Sequence, residues 1–320
     1  MSPAAVKMES QRKEYGRALV ELGARNRDIV VLDADLSVST RTAEFGKAYP
    51  DRFFNCGVSE ANMVTTAAGL AMAGKLVFAS SFAVFLTGLT YNQIRQSIAY
   101  PRTNVKIVAS HAGLSVGPDG ATHQMLEDVG LMRGLPNMTV VVPADALETY
   151  QATHALAAFR GPAYMRFGRA DVPAISDMGS DFAIGRASML RKGADVTLIG
   201  CGQLVHTCLA AARQLETEGI SASVVNMSTI KPLDTGMVDR CARDTGAIVT
   251  VEEHNIINGL GDAVCSAVAA HYPVPVTKIG TMDTFGESGE AGELLVKYGL
   301  SAEEIAMKAA RTVETKKRMR

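Results

Sequence analysis

The 320 residues are 47% hydrophobic and 20% charged, with 29 glycines, 11 prolines, no tryptophan and a net charge of −1. Such a chain has the length and apolar content for two domains with cores of their own, which excludes a disordered polypeptide. No block of like charge suits a nucleic acid, and no run of about 18 apolar residues is present to span a membrane.

The charged start (Lys7, Glu9, Arg12, Lys13, Glu14) lacks the apolar core of a signal peptide. Five scattered cysteines without a C-x-x-C pair predict a reduced, cytoplasmic protein. Apolar β-branched runs then alternate with helical patterns. Strands are predicted at 29–32, 76–79, 105–109, 139–142 and 163–166, and helices at 9–24, 60–73, 88–99 and 146–159. Near-continuous apolar strands separated by helices imply βαβ units on a buried parallel sheet. The rhythm breaks over 171–192, with Pro173, Asp177, Gly179, Ser180 and Asp181, and Gly193 just beyond. It restarts with strands at 196–199, 222–225, 248–251 and 274–277 and helices at 204–218, 235–244 and 261–270. The expected fold class is α/β, with two domains, 1–185 and 186–320, each a mainly parallel sheet flanked by helices. The basic end Lys316–Arg320 reads as frayed and solvated.

Several segments could carry chemistry. In Asn55-Cys-Gly-Val-Ser-Glu60-Ala-Asn-Met63, Ser59 is an N-cap candidate and Glu60 falls in the first helical turn. Glu60 either complements the helix dipole or, if the Ala- and Gly-rich helix starts out of water, needs a partner. Phe82 and Phe85 follow an apolar strand, where they either pack the core or form a wall against a flat heterocycle. The run Ser110-His111 to His123-Gln124 places two histidines, Asp119 and three glycines after a buried strand, a position favoured for ligands. Glu252-Glu253-His254-Asn255 reads equally as a site or as a satisfied polar loop. Other motifs fail. Ala61 stands where a nucleophile elbow needs Gly, Val205 replaces the third Gly of a dinucleotide fingerprint, and neither a P-loop nor H-E-x-x-H is present.

Six segments, in order over nearly the whole chain, resemble the C-terminal half of transketolase. They are Asp33-Ala-Asp35-Leu, Gly57-Val-Ser-Glu60-Ala-Asn-Met, Gly117-Pro-Asp119-Gly-Ala-Thr-His123-Gln, Val142-Pro-Ala-Asp145, Met165-Arg-Phe-Gly-Arg169 and Val251-Glu-Glu-His-Asn-Ile-Ile-Asn-Gly-Leu-Gly261. The resemblance implies a thiamine-diphosphate pyrimidine-binding domain followed by a transketolase C-terminal domain, the second serving chiefly assembly. No Gly-Asp-Gly occurs, so it also implies that Mg²⁺ (or Ca²⁺) and the diphosphate are held by an N-terminal-half partner subunit, in an α2β2 heterotetramer. The implied activity is transfer of a two-carbon ketol unit between sugar phosphates.

By the same resemblance Glu60 matches the glutamate that shares a proton with the cofactor's pyrimidine ring, and Phe82 and Phe85 match its pocket. Asp35 is placed near the cofactor or donor. His111 and His123 match channel histidines that bind donor hydroxyls and assist proton transfer, Asp119 matches a hydroxyl-recognising aspartate, and Arg169 matches a sugar-phosphate arginine. Arg166, inside a strand, is the poorer phosphate candidate. Gly88 departs from the pattern, since relatives often carry a third aromatic there. Two readings compete: the β subunit of a 2-oxoacid dehydrogenase E1 component, and a non-catalytic assembly subunit. Asp119 with His123 favours a ketose donor over the first. Glu60, Phe82, His111 and His123 together count against the second.

Overall fold

The computed structural model describes residues 7–175 and 182–319. Asp177, Gly179, Ser180 and Asp181 of the predicted boundary lie outside them. The strands, in chain order, are β1 (Met8–Glu9), β2 (Ile29–Asp33), β3 (Phe53–Asn55), β4 (Leu76–Phe82), β5 (Val105–Ser110), β6 (Thr139–Val141), β7 (Ala163–Arg166), β8 (Val172–Pro173), β9 (Ser188–Arg191), β10 (Val196–Gly200), β11 (Ala222–Asn226), β12 (Thr229–Lys231), β13 (Ile248–Asn255) and β14 (Val276–Thr281).

Two mainly parallel sheets flanked by helices result. A seven-stranded sheet runs β12-β6-β7-β5-β4-β2-β3 and a five-stranded sheet runs β14-β13-β10-β11-β9. Only β12 in the first and β9 in the second pair antiparallel. β2, β4 and β5 are buried along their whole length, as expected of strands covered on both faces by helices. The two cores are continuous. One apolar cluster runs from Val77, Ile107 and Met132 to Val225, Met227, Ile230 and Ile248. β12 lies beyond residue 186 in sequence, yet it borders the first sheet through β6.

Four sequence expectations are corrected. First, Phe53–Asn55, where the sequence predicts no strand, is a strand paired in parallel with β2. At three partly exposed residues it is too short to show a period. Second, the predicted helix at 88–99 begins earlier and is irregular, with wide turns at Val84–Leu89 and Ile94–Ala99 around Tyr91–Gln93. The Thr87 and Thr90 hydroxyls bond the carbonyls of Ala83 and Leu86, competing with the regular ladder. Third, Glu252–Asn255 is not a loop but the end of β13, with the first three residues buried. Fourth, the basic end is helical as far as Met319 rather than frayed, with Lys317, Arg318 and Met319 exposed. It closes the helix Ala302–Met319, and Lys316, 9% exposed, donates to the carbonyls of Asp195 at 2.7 Å and Thr245 at 2.8 Å.

No helix among the described residues is long and apolar enough to cross a membrane. Lys316→Met should lower unfolding free energy by about 1–3 kcal/mol, because two buried carbonyls lose a charged donor. Urea denaturation measures this, and an unchanged midpoint would mean that the helix end is solvated after all.

Candidate active site

β2, β4, β5 and β7 run side by side and parallel, so their C-terminal ends open in one direction. Asp35 follows β2, Glu60 follows β3, Phe82 ends β4, His111 follows β5 and Arg169 follows β7. The chain thereby gathers residues 35 to 169 along one edge, where ligands of parallel sheets bind.

Glu60 opens the helix Glu60–Met72 and is 7% exposed, whereas Ser59 and Ala61 beside it are exposed. Ser59 holds the N-cap position but its side chain makes no cap bond. Only the carboxylate is withdrawn from water at this helix start. The flanking Phe54 and Val58 are 46% and 83% exposed. The Ser81 hydroxyl donates to Glu60 Oε1 at 3.3 Å, the one side-chain bond Glu60 makes among the described residues. A buried carboxylate so lightly used keeps acceptor capacity for an N–H from outside the chain.

Asp35 is exposed, with left-handed backbone (φ 65°). Its N–H donates to Asn55 Oδ1 at 3.0 Å, Asn55 Nδ2 returns a bond to Asp35 Oδ1 at 3.0 Å, and Gly57 N–H joins the same Asn55 oxygen at 3.0 Å. Asp35 is thus tied to the turn that enters the Glu60 helix. Asp33 is buried and scaffold-bound, accepting from Leu36 N, Thr40 and Thr42.

Four rings form a chain. Phe82 and Phe85 stack with centroids 6.0 Å apart, His111 lies over Phe82 at 3.7 Å and 21°, and His123 meets Phe85 edge-on at 5.4 Å. Phe82 is buried under His111, so Phe85, half-buried, is the ring of the two that offers more surface. At Gly88 a Cβ would meet nothing within 4 Å, so the wall is open at that point.

His111 also has left-handed backbone (φ 56°), and its Nδ1 is 2.9 Å from Ser110 Oγ. Burial, with the nearby charges of Arg12, Arg169 and His123, pushes its pKa down to about 3. The ring is therefore neutral at physiological pH. His123 Nδ1 lies 2.9 Å from Thr122 Oγ1. Asp119 and Arg169, both partly exposed, pair at 3.4 Å, and Arg169 also donates to Val116 O at 3.2 Å.

The sequence reading assigned no role to Arg12. Its Nη1 donates to Ser39 O at 3.1 Å, while Arg12 Nε and Arg41 Nε are buried without hydrogen-bond partners. Burial and the charges of Arg41 and Arg169 lower the pKa of Arg12. Arg12 and Arg169 thus bring their charges to His111, and Arg41, paired with Glu44 at 3.6 Å, adds its charge beside Arg12, which is the chemistry of an anion site. Nothing local marks Arg12, because its neighbours come from distant segments. Arg166 is excluded from that role: it is buried and paired with Asp128 at 2.6 Å.

Comparison with known proteins identifies the family. The family model for the transketolase pyrimidine-binding domain matches residues 8–174, and that for the transketolase C-terminal domain matches 185–305. A putative transketolase C-terminal section from Methanocaldococcus jannaschii is 48% identical over 93% of this chain and 94% of its own length. A 6-deoxy-6-sulfo-D-fructose transketolase subunit from Clostridium sp. is 40% identical over 98% of each chain. A solved split-gene transketolase, described as an inactive β4 tetramer, superposes with a TM-score of 0.90 at 48% identity, covering 96% of this chain and 99% of that one. The chain belongs to the transketolase family, in the part that carries the pyrimidine-binding and C-terminal domains.

The depressed His111 pKa has a consequence for stability. The unfolded chain takes up this proton near the ordinary histidine value, the folded chain only near 3, so acidification between these favours unfolding. His111→Asn, which tolerates the left-handed backbone, should lose less stability than the natural chain between about pH 6.5 and pH 4. Parallel slopes in chemical denaturation across that window would contradict a neutral buried ring.

Proposed function

We propose that this chain is the C-terminal subunit of a two-chain transketolase, moving a two-carbon ketol unit from a ketose phosphate to an aldose phosphate with thiamine diphosphate. Residues 1–185 would be the pyrimidine-binding domain and 186–320 the C-terminal domain. The observation that carries this reading is one strand edge holding an under-bonded buried carboxylate (Glu60), an accessible aromatic face (Phe85) and, beyond them, neutral His111 near Arg12 and Arg169.

The residues suit the cofactor. When bound, thiamine diphosphate supplies a nucleophilic carbon and an electron sink for cleaving the bond next to a carbonyl. Glu60 would hold the proton at the pyrimidine ring nitrogen, using the capacity that Ser81 leaves unfilled. Phe85 would stack on that ring, with Phe82 holding His111 in register behind it. His111, being neutral and using Nδ1 toward Ser110, would turn Nε2 to a donor hydroxyl as donor or acceptor according to its tautomer, and with His123 it would pass protons there. Asp119 would recognise a further hydroxyl, and Asp35 would border the cofactor at the turn before Glu60. Arg12, Arg41 and Arg169 would bind the anionic end of the sugar. Guanidiniums bind tetrahedral oxyanions generally, so a sulfonate, as in the sulfosugar named for one relative, is a candidate beside a phosphate.

The metal ion and the diphosphate would be held by an N-terminal-half partner subunit, the pair forming an α2β2 assembly. The exposed Phe54 and Val58 beside Glu60 support a partner at this face.

The test is reconstitution with a candidate diphosphate-binding subunit and an assay of ketol transfer over a panel of ketose phosphates. The complex should turn over and this chain alone should not. Glu60→Gln should lower kcat by about a hundredfold or more, and unchanged turnover would refute the assignment. Arg12→Ala and Arg169→Ala should each raise KM for a phosphorylated donor about tenfold or more, with little effect on a short uncharged hydroxyketone. Equal losses on both donors would remove the arginines from the anion site.

A further inference from the structure

The loop 111–124 carries His111, Asp119 and His123, and the second half of the chain anchors it at two points. Its ends are drawn together where Gly113 N–H donates to Met125 O at 3.0 Å and Ala112 bridges Met125. At the entry, Ser115 N–H donates to Glu253 Oε1 at 2.6 Å. Glu253 Oε2 accepts from Gln203 Nε2 at 2.6 Å, and the Glu253 carbonyl accepts from Arg166 Nη2 at 2.9 Å. Glu253 is 7% exposed. A short backbone bond to a buried carboxylate is charge-assisted and directional.

The fit at this point is close. Gly113 has φ +84°, and a Cβ there would lie 2.4 Å from the Glu253 carboxyl carbon. The carboxylate occupies the space that a side chain on the loop would fill. At the exit, Gln124 Nε2 donates to Glu287 O at 2.9 Å, and a Cβ on Gly120 (φ +75°) would lie 2.5 Å from Ser288 Oγ. His111, in a left-handed conformation, stands two residues before the first anchor, and Asp119 and His123 stand near the exit.

We propose that Glu253 is a positioning residue for substrate binding: its carboxylate, borne by the second domain, sets the loop that presents His111, Asp119 and His123. The inference rests on the ketol-transfer reading for the nature of the substrate, but the clamp itself can be tested without it. It gives the second half of the chain a part in donor recognition. Glu253 is buried and uses both carboxylate oxygens within the chain, so its removal should weaken donor binding through the loop and leave the Glu60 side of the site alone.

Two measurements decide it. In the full chain, hydrogen exchange at Ser115 and across 111–124 should speed up about tenfold or more in Glu253→Ala, with exchange in the Glu60–Met72 helix unchanged. In the reconstituted complex, Glu253→Ala should raise donor KM about tenfold, with thiamine diphosphate affinity within about twofold. Glu253→Gln should restore most of the loss, since its amide oxygen still accepts the Ser115 N–H. Unchanged exchange at Ser115, or equal loss of donor and cofactor affinity, would overturn the proposal. Should Glu253→Ala not fold, Gln203→Ala at the part-buried end of the same carboxylate carries the test: a smaller change of the same pattern supports it and no change overturns it. If the natural complex transfers no ketol unit while the exchange result holds, the reaction is misassigned and the clamp stands.

Discussion

A guanidinium that is 4% exposed sits where the two halves of the chain meet, and its charge must be met on the spot. Removing such an ion from water costs several kcal/mol unless its geometry and partners are good. Arg166 meets that demand with Asp128 on one side, whose second oxygen takes the Tyr164 hydroxyl, and with the Glu253 carbonyl on the other. Asp128 and Tyr164 belong to the first half, Glu253 to the second. The relative placement of the halves is therefore set by a charge that tolerates few alternatives. From the same residue the Glu253 side chain reaches the loop bearing the candidate histidines.

Degree of satisfaction separates scaffold from site. Glu148 accepts from Ala144 N, Asn226 and Ser228, and Glu252 caps the helix Leu260–His271 through the N–H groups of Leu260 and Gly261. These carboxylates are filled from within, and they join neighbouring parts of the fold. Glu60 is nearly as buried but receives one long bond, and Arg12 and Arg41 bury nitrogen atoms with nothing to bond. Desolvated polar groups left partly unpaired are costly in a stable fold unless something else completes them. Others occur elsewhere, on Asn226, Thr250 and Thr281 of the five-stranded sheet, but the charged groups Glu60, Arg12 and Arg41 belong to the first domain with the candidate site.

Much of the fold was legible because buried parallel strands write themselves as short apolar β-branched runs. Ile29–Asp33, Val105–Ser110 and Ala163–Arg166 were visible in that way. β3 was not, being three residues long, nor was the C-terminal helix, whose basic end looks solvated until Lys316 is seen reaching across to Asp195 and Thr245. Candidate residues in compact motifs, such as Glu60 and the pair His111 and His123, could be picked out as polar groups following apolar strands. Arg12 could not, and Glu253, though part of a polar run that read equally as a site or a loop, could not be assigned its contact. Their meaning lies in partners far along the chain, Arg169 for one and Ser115 for the other, and no local pattern encodes that distance. The wide turns around Phe85 were hidden for a related reason, since two threonine hydroxyls decide them rather than any period.

The short antiparallel strand β12 has a consequence for how this chain can be divided. It lies in the second half of the sequence but seals the β6 border of the first sheet. A fragment cut near residue 185 would expose a row of unpaired amides and carbonyls there, the kind of edge that recruits other strands and aggregates. The two halves are thus poor modules for recombination. A family that redistributes its parts between polypeptides would do better to break the chain elsewhere and keep these halves together, because each finishes a surface that the other leaves raw.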